Sequence, residues 1–125
     1  MGSMVEKSVR QAIDALATRD TALAHDVIEE DLAIDKLALH IEQTCLDMLA
    51  LQQPLARDLR LVAAAISIAT DLERMGDEAA NISEVVLRIA SRPLIKPLVD
   101  IPRMAEAAQR MISECLNAFV DRDAD

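Results

Sequence analysis

Asp58-Leu-Arg-Leu-Val62, continued through Ile66 and Ala69 to Asp71-Leu-Glu-Arg-Met-Gly-Asp-Glu-Ala-Ala-Asn81, reads as one long helix. Leu59, Val62, Ile66 and Ala69 recur at steps of three and four, the spacing that shares a helix face. The next position on that apolar stripe is Glu73, and Asp77 follows one turn later beside Gly76. A bare charge on a buried face is costly, so such carboxylates must be protonated, hydrogen-bonded, paired or metal-bound.

Working outward, Pro54 and the Gln52-Gln53 pair mark the turn before this helix, and the apolar residues Ile82, Val85, Val86 and Ile89 carry it to about Ala90. The preceding stretch, about Leu23 to Leu51, predicts a second long helix with two neighbouring stripes. Val27, Ile34, Ala38, Ile41, Cys45 and Met48 form one, and Ile28, Leu32, Leu39, Leu46 and Leu49 form the other. Two stripes predict a wide buried face with more than one neighbour. Asp31 interrupts the first stripe and Asp35 the second. Shorter helices are predicted from about Val5 to Arg19, closed by an Arg19-Asp20-Thr21 break, and from about Arg103 to Val120. Residues 92–102, which hold Pro93, Pro97 and Pro102, read as a stiff linker. The leading Met1-Gly2-Ser3-Met4 reads as a cloning remnant outside the fold.

The pattern predicts an all-α chain: glycine and proline are few, at 2 and 4 residues, and two helices are far longer than the globular mean. An internal repeat supports it. Residues 9–20 align without a gap on residues 112–123, apolar position on apolar position, Ala15 on Ala118, and both segments close in Arg-Asp. The fourth helix is therefore a second copy of the first. The chain reads as one complete repeat over residues 5–91 and the first helix of another over 103–125.

Charge narrows the function. A net charge of −9 and a single aromatic residue, Phe119, argue against a nucleic-acid partner. No apolar run reaches the roughly 20 residues that span a bilayer. Cys45 and Cys115 form no CxxC, and each replaces an apolar residue in a helical pattern, so both are expected to be reduced and buried in a cytosolic protein. Random placement of 22 acids over 125 positions gives roughly four pairs at four-residue spacing. The number of such pairs is therefore uninformative, and their place on apolar stripes is the signal. Asp31, Asp35, Glu73 and Asp77 on adjacent antiparallel helices would form an all-oxygen ligand set suited to Fe³⁺, Mn²⁺, Mg²⁺ or Ca²⁺ rather than zinc. Neutralisation by Lys36, Arg60 or Arg74 is the competing reading. Asn81, one turn beyond Asp77, is a candidate to orient a ligand carboxylate. Neither His25 nor His40 stands in the Glu-x-x-His pattern of ferritin-like sites. No nucleophile–base constellation or Gly-rich phosphate loop is present, which weakens an enzymatic reading.

Gln53-Pro54-Leu-Ala-Arg-Asp58-Leu-Arg60, then Asp71-Leu-Glu-Arg-Met-Gly-Asp77-Glu-Ala-Ala-Asn81-Ile82, closely resemble the PhoU family of bacterial phosphate-uptake and phosphate-signalling regulators. Val27-Ile28, Asp31 and Ile34-Asp35 on the second helix extend the resemblance. It implies an antiparallel three-helix bundle, repeated in tandem in the family. It also implies multinuclear metal binding (Fe, Mn, Mg, Ca or Zn) at Asp31/Asp35 and Glu73/Asp77, with Arg74 and Asn81 as supporting residues. The resemblance further implies a non-enzymatic role. Its expected partners are the ATPase of the phosphate ABC transporter and a sensor histidine kinase, and its expected location is cytoplasmic, peripheral to the inner membrane through those partners. The fourth helix is expected to cap the bundle or to swap onto a partner chain in a homodimer or larger oligomer. A carboxylate-bridged dinuclear metalloenzyme and a purely structural dimerisation bundle are the alternatives.

Overall fold

The structure is a computed structural model that describes residues 1–121. It contains four helices: α1 (Gly2–Thr18), α2 (Thr21–Gln52), α3 (Ala56–Ile89) and α4 (Asp100–Asp121). The Arg-Asp that closes the second repeat copy, residues 122–123, lies outside the described residues.

Local chemistry sets the helix ends. Arg19 adopts a left-handed conformation at φ 57°, the usual device for stopping a helix, and the Asp20 N–H donates to the Ala15 carbonyl at 3.0 Å. Asp20 then caps α2, its carboxylate accepting from the Leu23 N–H at 3.0 Å. Gln53 stops α2 in the same left-handed way, at φ 43°, and Leu55 in extended backbone precedes α3. Arg19 also reaches across to donate to the Arg92 carbonyl at 2.7 Å, tying the first turn to the end of α3.

Two helices begin earlier than the sequence pattern suggests. Residues 2–4 lie inside α1, and Met1 and Met4 pack against the core. Their apolar side chains give the first turn a face to bury. Pro102 belongs to the first turn of α4 rather than to the linker. A proline there costs little, because first-turn N–H groups have no partner within the helix.

The core is three layers along a parallel pairing of α1 with α3, with α2 antiparallel to both. Val5 meets Ile34 and Leu72, Ala12 meets Val27 and Ala79, and Ala15 meets Ala24 and Val86. The small residues of the lower two layers let the helices approach closely. α1 is half the length of its neighbours, so α2 and α3 run on beyond it as a two-helix hairpin whose buried residues are Cys45 and Val62. α4 lies antiparallel against α1 of its own chain. Ile112 and Leu116 join the first layer, and the Gln109 amide donates to the Glu6 carbonyl at 3.2 Å.

The second stripe of α2 is not buried. Leu32, Leu39 and Leu46 are exposed, because among the described residues α2 packs only against α1 and α3. Cys115 is also exposed, against expectation, whereas Cys45 is buried as anticipated; both are free thiols. The reason for Cys115 is that, among the described residues, α4 packs chiefly against α1 and leaves this face open.

Candidate metal centre

Asp31 and Asp35 stand one turn apart on α2, and Glu73 and Asp77 one turn apart on α3. The antiparallel pairing of these helices brings them to the same height. Asp31, Asp35 and Asp77 each present a carboxylate oxygen within 4.8 Å of the other two. Glu73 stands outside this tight trio, yet near enough for its charge to act on Asp31. Its longer side chain starts one turn earlier on α3 and remains half-buried beside the trio.

The electrostatics of the trio are unfavourable as it stands. The Asp31 carboxyl is pushed up from the usual 3.8 to about 6, first by burial and then by the charges of Asp35, Asp77 and Glu73. One oxygen each of Asp31 and Asp35 is buried without a hydrogen-bond partner. Orphaned buried acceptors are rare in folded proteins and call for an explanation. Among the described residues the ion pairs are Lys7 with Glu30 at 2.7 Å and Arg74 with Asp71 at 3.8 Å. Neither reaches the trio. Lys36 and Arg60 are exposed and pair with nothing there.

Gly76 explains how Asp31 reaches the site. A methyl group at that position would lie 2.9 Å from Asp31 Oδ1 and 3.2–3.3 Å from the branches of Ile34. The missing side chain is the space that the Asp31 carboxylate occupies. A side chain here would make the Asp31 carboxylate swing aside and Ile34 give way by a few tenths of an ångström, against the roughly 1 kcal/mol that glycine costs in a helix relative to alanine.

The two supporting residues expected from sequence are turned elsewhere. Arg74 is exposed, pairs with Asp71 and lines a cleft facing α4; Asn81 is exposed and donates to Glu78 at 3.3 Å. Helical geometry is the cause. Arg74 is one residue past Glu73, about 100° around the axis, and Asn81 drifts about 40° past Asp77 toward solvent.

The donor set fits a hard cation. It is all oxygen, no His or Cys joins it among the described residues, and its buried acceptors lack any protein donor. The three oxygens lie within 4.8 Å of one another, inside the roughly 5 Å that is the largest separation of two oxygens bound to one Ca²⁺.

A PhoU domain profile matches residues 1–86. The chain is 40% identical over 123 residues to the phosphate-specific transport system accessory protein PhoU homolog of Aquifex aeolicus, covering 98% of this chain and 56% of that one. Against the homolog of the same description from Pseudomonas aeruginosa it is 36% identical over 126 residues, covering 100% and 52%. The crystal structure of PhoU from Pseudomonas aeruginosa superposes with a TM-score of 0.94 at 36% identity, covering 100% of this chain and 60% of that one. The chain thus spans about half the length of the curated relatives it matches.

Proposed function

Because the chain belongs to the PhoU domain family, we propose that it serves as an accessory and negative regulator of phosphate transport and of the phosphate-starvation response, working as a metal-binding adaptor in the cytoplasm. The observation that carries the metal half of this reading is the trio Asp31, Asp35 and Asp77, converging with orphaned oxygens and no cation from the described chain. A bound cation supplies positive charge to these carboxylates. The residues do the rest: Asp31 and Asp35 hold the α2 side, Asp77 holds the α3 side, and Glu73 stands by as a further oxygen donor.

The reading of a purely structural bundle with arginine-neutralised carboxylates loses its support, since Arg74 pairs with Asp71 and Arg60 is solvent-exposed. The partners in this proposal are the transporter ATPase and the sensor histidine kinase. Titration of the chelator-treated protein with Mn²⁺ and Fe³⁺ tests the metal half, and co-purification with the ATPase and the kinase tests the adaptor half. Saturable binding abolished by Asp31→Asn with Asp77→Asn supports the first. A chain that takes up no metal and retains neither protein overturns the whole reading.

A further inference from the structure

The wide face of α2 that the bundle leaves uncovered carries a regular pattern. Leu32, Leu39 and Leu46 recur every seven residues and are 61%, 66% and 45% exposed. A seven-residue repeat places them in one row along the helix, about 21 Å long over 14 residues. Isolated exposed leucines are ordinary, but a straight row of three on one helix is a coiled-coil-like seam.

The edges of the row are acidic. Glu42 lies along the side toward α3, next to the carboxylate trio, and Glu29 and Asp47 lie along the other, where Lys36 is the one base. Over its whole length α2 carries seven acids against one base, Lys36. Lys7 of α1 already engages one of those acids, Glu30.

We infer that the Leu32–Leu39–Leu46 row is a docking seam for an amphipathic helix of a partner protein, one with apolar residues at three- and four-residue steps and lysine or arginine on its flanks. The seven-residue spacing selects a helix over a strand, whose side chains on one face repeat every two residues. The acidic edges select basic flanks. A second copy of this chain is disfavoured as occupant, since pairing α2 with α2 brings acidic edges together in a protein of net charge −9. An anionic membrane surface is disfavoured on the same ground. The inference rests on the adaptor reading, which requires a partner, but it does not depend on the metal.

The test uses the full chain and a fluorescent synthetic peptide of about 20 residues, with leucine at the core positions of a helical heptad and lysine at the flanking ones, beside a counterpart with glutamate for each lysine. Both are titrated at low salt, once with chelator and once with Mn²⁺. The lysine peptide binds, the glutamate peptide does not, and Leu39→Glu weakens binding by about tenfold or more while Leu39→Met retains it. Thermal melts of both variants match the parent, because Leu39 is exposed. Three results overturn the inference: equal binding of the lysine peptide to the parent and Leu39→Glu, which marks mere charge adhesion; binding of neither peptide; or a dimer in sedimentation that Leu39→Glu dissolves, which assigns the row to a second copy. Peptide binding that persists in a chain taking up no Mn²⁺ sinks the metal reading and leaves the seam standing.

Discussion

Asp31 decides whether the carboxylate cluster is a burden or a binding site. Its raised pKa means that the folded chain holds a proton that the unfolded chain has released, in the window from about pH 4 to about pH 6. The metal-free protein therefore loses stability as pH rises through that window, and the loss is complete above it. Melting temperatures of chelator-treated protein are expected to fall from pH 5 to pH 7, and Asp31→Asn is expected to flatten this slope and to raise the pH 7 value. With Mn²⁺ present the order reverses: the parent gains stability toward pH 7 as Asp31 deprotonates to bind, and Asp31→Asn gains none. Gly76→Ala sets two effects against each other. Helix propensity favours alanine by roughly 1 kcal/mol, but overpacking costs about 1–3 kcal/mol. Ile34 is fully buried and both of its contacting branches would have to give, so overpacking is expected to win. The variant is expected to unfold at lower urea and to bind Mn²⁺ more weakly, because Asp31 is displaced. Much of this site was legible in the sequence, since an acid on an apolar stripe is visible without coordinates. What was not legible was the division of labour within it. Helical spacing places Glu73 and Asp77 on one face, but only the offset between α2 and α3 decides that Asp77 joins the trio and Glu73 stands beside it. Arg74 and Asn81 turn away for a different reason, their offsets of about 100° and 40° around α3 from Glu73 and Asp77.

The helices themselves were readable because propensity, periodicity and punctuation agree. The caps show why the agreement ended at the boundaries. Asp20 and Thr21 are both capping residue types at the Arg19-Asp20-Thr21 break, and it is the Asp20 carboxylate that accepts from the Leu23 N–H. Asp20→Ala is expected to cost about 1 kcal/mol in urea unfolding. Gln53 gave no such signal, since a left-handed glutamine looks like any other polar residue. Its conformation is unfavourable for a side chain by roughly 1–2 kcal/mol, partly returned by glycine's larger unfolded-state entropy. Gln53→Gly is therefore expected to stabilise the chain by about 0.5–1 kcal/mol, read by the same denaturation. The double stripe on α2 was a harder case. Periodicity reports that a face is apolar, not what lies against it. The sequence expectation buried Leu32, Leu39 and Leu46 in the bundle, whereas α1 and α3 cover only the adjoining stripe.

At the scale of the whole chain, α1, α2 and α3 pack against one another, and α4 is held by α1. The repeat sharpens the contrast. Val5, Ser8 and Ala12 are buried in α1, and the residues 103 positions later, Ala108, Met111 and Cys115, are exposed along a cleft of about 780 Å³ between α3 and α4. The same face that anchors the first helix is thus open in its copy. Ile112, with Leu116 beside it, is the main apolar tether of α4 to the core. A helix held on one side opens more readily than the bundle unfolds, so its amides are expected to exchange with solvent faster than those of α3. Ile112→Ala removes about 2–4 kcal/mol of packing. If α4 opens as a separate unit, that loss falls on it alone. Its amide exchange then accelerates by tenfold or more, while the protection of residues 69–86 of α3 stays unchanged. Equal acceleration in both helices would mean instead that Ile112 locks a single cooperative core.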